Sequence, residues 1–128
     1  WDVKAKTAIN AQASASAINA ELGNDTSGVS ILQQIGARKE NLAHLAPATT
    51  AEAQAAADAY ARMSARRFVA GRGVAETSSG IGVGSHVELK GLGAMFSGTY
   101  IVTAVRHRFD GVNGVRTEFD VERLGIGA

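Results

Sequence analysis

The sequence predicts an α+β fold in which an alanine-rich helix precedes a small antiparallel β-barrel or meander, and three patterns carry that expectation. From Val87 to Val121 apolar residues fall at alternate positions, first Val87 and Leu89, then Ile101, Thr103 and Val105, then Thr117, Phe119 and Val121, with glycines between the runs. A period of two broken by turn residues is the pattern of antiparallel strands with one buried face. Residues 51–67, by contrast, contain no glycine, proline or β-branched residue and are dominated by alanine, which favours a helix. Residues 7–28 mix Ala, Ser, Asn and Gly with few large side chains, and such a stretch buries too little area to fix itself.

Taken in order, Trp1 to Lys6 opens on an aromatic that is costly to leave in water, so it reads as the end of a strand begun upstream. The chain begins at Trp1 rather than Met and reads as a fragment or processed piece. Residues 7–28 are expected as an extended connection, with a weak helix over Ala11–Glu21 as the alternative. Ser27 or Ser30 is placed to cap a short helix over Val29–Gly36, with Gly36 just past its end. Residues 37–48 form a connector tacked down by Leu42 and Leu45 and stopped by Pro47. Thr49 stands three residues before Glu52, the capping-box spacing, and starts a helix over 50–67. Its acids lie early (Glu52, Asp58) and its arginines late (Arg62, Arg66, Arg67), which suits the helix dipole. Ala56, Ala59, Tyr60 and Met63 supply one narrow face to set against a sheet.

Strands follow over Phe68–Thr77, with Gly71 and Gly73 marking a bend, a bulge or a close backbone approach, and over Ser85–Lys90, Thr99–Phe109 and Val115–Arg123. Residues 78–84 are a turn-rich link. The Gly91–Gly98 loop is expected to turn tightly while Leu92, Met95 and Phe96 plug one end of the barrel. Asn113-Gly114 marks a hairpin, with Asp110-Gly111 competing for its centre, and residues 125–128 form a tail. The chain divides into a loop-rich segment, 1–48, and a helix-plus-barrel domain, 49–128.

Composition narrows the function. One domain is the expectation for 128 residues. Four Phe, two Tyr and one Trp make a small core, or one that another chain completes. Thirteen basic and twelve acidic residues are mixed along the chain for a net charge of +1, so nothing demands a nucleic acid or an anionic membrane. Cysteine is absent, which removes disulfides, thiolate chemistry and Cys-bound zinc. No run approaches the ~18–20 apolar residues of a membrane span.

The candidate sites are few. His86, Glu88 and Lys90 alternate along one strand, but a metal site needs more than one histidine and a converging second element. Arg106-His107-Arg108 is basic enough for a phosphate, yet single-strand binding also needs stacking platforms, and only Tyr100 and Phe109 are at hand. By alternation His107 shares a face with Ile101, Thr103, Val105 and Phe109, while Arg106 and Arg108 point with Tyr100 and Val102. Cross-strand pairing of the arginines with Glu118, Asp120 or Glu122 is the expected use. Gly91–Gly98 precedes a strand and lacks a Gly-Lys-Ser/Thr ending, so it is no phosphate loop. None of His44, His86 and His107 sits in a nucleophile setting, and no carboxylate pair is marked by an apolar pocket. The expectation is therefore no catalytic, metal or cofactor site, and a subunit or partner contact through Tyr100, Arg106, Arg108, Glu118, Asp120 and Glu122.

Leu89–Thr103, followed by Val105–Asp110 and Thr117-Glu118-Phe119, resembles the phage late control protein D and VgrG-type family of spike hub proteins, and Trp1-Asp2 resembles part of that family's Gly-Trp-Asp signature. The resemblance spans most of residues 1–123. It implies a hub-type, OB-like barrel, no enzyme activity of the chain's own, and a trimeric ring joining tube to spike in a contractile phage tail, type VI secretion spike or related injection system. It further implies tail tube, spike and baseplate proteins as partners, no nucleic acid or membrane anchor, and assembly in the bacterial cytoplasm into a virion or secretion apparatus. An OB-like module for oligonucleotide or carbohydrate and a cell-wall hydrolase are the alternatives.

Overall fold

The computed structural model describes residues 1–19, 21–22, 25–36, 38–76, 80–112 and 114–127. In chain order these form α1 (Ala15–Asn19), β1 (Thr26–Ser27), α2 (Gly28–Ile35), α3 (Thr50–Arg66), β2 (Val69–Glu76), β3 (His86–Leu89), α4 (Gly93–Phe96), β4 (Gly98–Asp110), β5 (Gly114–Arg123) and β6 (Gly125–Ile126). The class is α+β, as expected. Four antiparallel strands lie in the order β2-β5-β4-β3, so β3, β4 and β5 make a meander and β2 returns to the far edge. The sheet curls into an open half-barrel rather than a closed one. Thr77, Ser78, Ser79, Asn113 and Ala128, on which ends of the expected strand, link, hairpin and tail fall, lie outside the described residues, as do Ala20, Gly23, Asn24 and Ala37 in the expected amino-terminal connections.

The core occupies the concave face of the sheet. Tyr100, Val102, Phe119, Val121 and Leu124 are buried, and Val69, Ala75, Ile81, Val87, Leu89 and Val105 pack around the first four. Along β5 the inward residues are Thr117, Phe119, Val121 and Arg123, all buried, while Arg116, Glu118, Asp120 and Glu122 lie on the other side. Thr117 has no exposed surface, and its hydroxyl is 3.0 Å from His107 Nδ1 on β4.

Strand β4 departs from simple alternation. Val102 stands opposite Val121, but Ala104, not Thr103, stands opposite Asp120. Thr103 is thus the extra residue of a β-bulge, which exchanges the two faces of the strand. Before the bulge the even residues Tyr100 and Val102 face the core; after it Val105 does. The expectation that Ile101 and Thr103 share the face of Val105 is corrected, as is that of Arg106 and Arg108 pointing with Tyr100.

The two longest helices, α2 and α3, are capped as the sequence requires. Thr49 Oγ1 accepts from Glu52 N at 3.2 Å, while the Glu52 carboxylate reaches back to Ala48 N at 2.8 Å. Ser27 Oγ accepts from Val29 N at 3.1 Å and is the cap of α2. Contrary to expectation, α3 does not lay a buried face on the sheet. It packs mainly on α1, Met63 stays exposed, and Tyr60 donates to Glu40 Oε1 at 2.8 Å. Among the described residues of the weak helix expected over Ala11–Glu21, only α1 is helical; Asp58 Oδ1 accepts from Ser14 N at 2.8 Å and Gln54 Nε2 donates to the Gln12 carbonyl at 2.8 Å. The Gly91–Gly98 loop contains the one-turn helix α4, and Leu92, Met95 and Phe96 are exposed, so they do not plug the half-barrel. Trp1 is 67% exposed beside the small turn that Asp2 closes with Thr7, so it is not buried as the end of a strand. The expected tail contributes β6, which pairs with β1.

Gly73 shows why β2 carries glycines. It stands opposite Phe119, whose ring lies over its Cα where an added Cβ would overlap the aromatic atoms. At Gly71 the same Cβ would meet Val121 at 3.5 Å, an ordinary contact. Gly73→Ala should therefore lower the unfolding free energy by about 1–3 kcal/mol through overpacking, and Gly71→Ala by less than about 1 kcal/mol. Urea midpoints of the two variants measure the difference.

Candidate functional site

Where the amino-terminal connection crosses the end of the sheet it leaves a cleft of about 400 Å³. Glu21, Leu22 and Asp25 line one wall, Arg66 from the last turn of α3 a second, and His86, Ser97, Thr99, Ile101, Glu122, Arg123 and Leu124 from the strand ends the rest.

Two arginine–carboxylate pairs build this cleft. The Arg66 guanidinium holds Glu21 through two bonds, Nε to Oε2 at 2.8 Å and Nη2 to Oε1 at 2.6 Å. Arg66's hydrogen bonds keep the Glu21 carboxyl below its ordinary pKa although partial burial opposes this, and Glu21 in turn raises Arg66. Arg123 is more deeply placed, with 5% of its surface exposed. It reaches Asp25 Oδ2 through Nε at 2.8 Å and Nη2 at 2.6 Å, and donates Nη1 to the Ser97 carbonyl at 3.0 Å. Its guanidinium carbon is 5.4 Å from the centre of the Tyr100 ring, within the range of a cation–π contact. Burial works against the Arg123 charge, but Asp25 and Tyr100 more than offset it and its pKa is raised. Gly98 makes room for the guanidinium: an added Cβ there would come within 2.7 Å of Arg123 Nη2.

Three carboxylates, Glu21, Asp25 and Glu122, line the cleft with two guanidiniums, Arg66 and Arg123, so acidic side chains outnumber arginines by one. Such a cleft does not attract a phosphate. Among the described residues no three His, Asp or Glu converge as metal ligands. The two ion pairs clamp the connection to the body, because Glu21 and Asp25 come from the connection while Arg66 comes from α3 and Arg123 from β5.

The residues expected as a partner contact fall in three places. Arg106 and Arg108 both reach Glu118, at 3.5 and 3.1 Å. Asp120 pairs instead with Arg72 on β2 at 2.7 Å, and that hydrogen bond holds its carboxyl below the usual range. Glu122 lines the cleft. Tyr100 is in the core, donating its hydroxyl to the Phe96 carbonyl at 2.7 Å. Glu88 and Lys90 pair at 3.2 Å on the exposed edge strand while His86 borders the cleft. Sequence reasoning missed Glu21, Asp25, Arg66 and Arg123. One signal was present: Arg123 continues the inward series Thr117, Phe119, Val121, and a charge in that register demands a partner.

Fold and cleft together define a small α+β domain with an open half-barrel and an ion-paired connection. The family model described as Alg8 N-terminal domain matches residues 1–111, and the chain belongs to that family. No curated protein and no solved structure matches. The family match overturns the resemblance to late control protein D and VgrG-type hubs, and with it the reading as a tail or spike hub in a virion or secretion apparatus. The glycine-spaced strings that carried the resemblance recur wherever short antiparallel strands are joined by tight turns, so they do not specify a hub. The OB-like module for oligonucleotide or carbohydrate is not supported either. Alg8 names a family of glycosyltransferases, so the expectation of no enzyme activity is also corrected to an amino-terminal domain of an enzyme-related family.

Replacing Arg123 by Met should cost about 2–3 kcal/mol, since Asp25 and the Ser97 carbonyl lose a charged donor. Glu21→Gln should cost only about 0.5–1 kcal/mol, its pair being partly solvated. Because folding lowers the Glu21 pKa, its contribution is present above the ordinary glutamate value near 4.5 and fades as pH falls through the folded value. Urea unfolding from neutral pH to below 4.5 should therefore show wild type and Glu21→Gln converging at the acid end.

Proposed function

We propose that this chain is a docking domain of a glycosyltransferase-related protein, seating the uncovered face of α2 on the remainder of that polypeptide. The observation that carries the reading is α2 itself. Its first turn is fixed to the body, where Gly28 N donates to the Leu124 carbonyl at 3.0 Å and the Gly28 Cα lies under the Phe68 ring. Beyond that turn Val29, Leu32 and Ile35 run along one side and remain exposed, Ile35 by 83%. A helix with so clear an apolar stripe is normally covered. The family description, an amino-terminal domain, supports the rest of the same polypeptide as the cover. The cleft supports a structural part in this reading, because its lining is negative and the anionic leaving group of an activated sugar would be repelled there.

The test uses the longer polypeptide with Leu32→Asp and Ile35→Asp. Glycosyl transfer from a panel of nucleotide sugars should fall at least tenfold, and backbone amides of residues 28–36 should exchange much faster than in wild type. Transfer that is absent from the wild-type protein with every donor would sink the glycosyltransferase reading. Unchanged exchange in the variant would sink the docking of α2.

A further inference from the structure

The two edges of the sheet are not alike. Strand β3 is four residues long and bears Glu88, paired with Lys90 just beyond its end, and short charged edges discourage further pairing. Strand β2 is eight residues long and pairs with β5 from Val69 to Glu76 without a shift in register. Among the described residues no strand lies on its outer side. It has no proline, lysine or bulge to blunt that side. Ala70, Gly71, Arg72 and Val74 are exposed along it, and its glycines and alanines let a second backbone come close. The tip of the β4–β5 hairpin also exposes Phe109 and Val112, but the β2 edge adds unpaired backbone groups and a pattern of charge.

That pattern is complementary to itself. A second copy added antiparallel about a twofold axis perpendicular to the sheet keeps concave face beside concave face, so each residue stands opposite one from the same side of the strand. With the axis at Val74, Arg72 stands opposite Glu76 of the second copy, Glu76 opposite its Arg72, and Val74 opposite Val74. An axis at Arg72 would set two guanidiniums against each other, which is unfavourable. An axis at Gly73 would set Arg72 against Val74 and Glu76 against Ala70, with neither charge answered.

The ion pairs within the chain survive this arrangement. Arg72 reaches Asp120 at 2.7 Å and Glu76 reaches Arg116 at 3.6 Å, each from the strand position directly opposite on β5. The row across the junction then reads Asp120, Arg72, Glu76, Arg116, alternating in sign, and symmetry repeats it. The Arg72 and Glu76 side chains are 76% and 92% exposed, so each has room for a second partner. On the concave side Gly73 would face Ala75, and neither obstructs the approach.

We propose that β2 is a self-pairing edge through which a second copy of this chain extends the sheet, antiparallel and in register about Val74. The strand order β3-β4-β5-β2 would continue as β2-β5-β4-β3 of the second copy. This goes beyond the docking of α2 and does not depend on it, since the two surfaces belong to different elements.

Sedimentation equilibrium of the chain at rising concentration should show a monomer–dimer equilibrium. Arg72→Glu and Glu76→Arg should each weaken the dimer by at least about tenfold, because each sets like charges opposite at both ends of the junction. Mixing the two variants should restore it, since every like-charged strand then meets one of opposite sign. The register has its own readout. The chain has no cysteine, and directly opposite residues lie about 4.5–5.5 Å apart, so Val74→Cys should be joined into a dimer by a short bis-maleimide. Ile35→Cys on α2, at a site 83% exposed, should stay monomeric. A wild type that remains monomeric at every concentration would overturn the proposal, as would a dimer that cross-links through Ile35→Cys and not Val74→Cys. So would a mixture of the two charge variants that stays monomeric while each keeps the wild-type circular dichroism.

Discussion

Burying a guanidinium at the end of the sheet is the constraint from which much of the rest follows. Arg123 takes an inward position that an aliphatic residue would fill at lower desolvation cost, and it is tolerable only because Asp25, the Ser97 carbonyl and the Tyr100 ring surround it. Those partners come from three separate parts of the chain: the connection before β1, the residue before β4, and β4 itself. Satisfying one charge therefore fixes the path of the connection and the start of β4 together. The bond from Gly28 N to the Leu124 carbonyl and the β1–β6 pairing continue the same seam, so the first turn of α2 is held where the carboxyl-terminal strands end.

Away from that seam the domain is held more lightly. Only five apolar side chains are buried in the described residues, and α3 meets the body chiefly through α1 and the Glu21–Arg66 pair. Besides the β2 edge, two surfaces remain uncovered, the outer side of α2 and the hairpin tip, and both are apolar where a self-sufficient domain would be polar. The first is capped at its start by Ser27, and the second carries the hydrogen bond from Val112 N to Asp110 Oδ1.

Local chemistry made much of this legible in the sequence. The Thr49–Glu52 spacing located α3, Ser27 located α2, and alternation with glycine punctuation located four strands to within about a residue at their described ends. Long-range placement was less legible. Alternation cannot reveal a bulge, because Thr103 is as good a strand residue as its neighbours; Val105, His107 and Phe109 do share a face, but Ile101 and Thr103 were wrongly joined to it, and Arg106 and Arg108 wrongly joined to Tyr100 and Val102. The cleft was invisible for a related reason: its two paired carboxylates, Glu21 and Asp25, lie in the low-complexity stretch 7–28, where no periodicity marks a residue as paired, and Glu21 is 45 residues from Arg66 and Asp25 is 98 from Arg123. The glycines at 71 and 73 were read as a bend, a bulge or a close approach, and at Gly73 it is a close approach, by Phe119. Family membership was obscured because the strings most resembling another family encode turns and hairpins, which many folds share.

The extra residue at Thr103 also governs how the long hairpin can vary in length. Each arm alternates between two environments, so trimming one residue from both strands at the tip would turn the terminal side chains over, putting an arginine where an aromatic now stands. Trimming two from both would preserve the arrangement at a shorter reach. Length changes in steps of two per strand are thus the ones compatible with keeping a greasy end and a charged flank on their present sides.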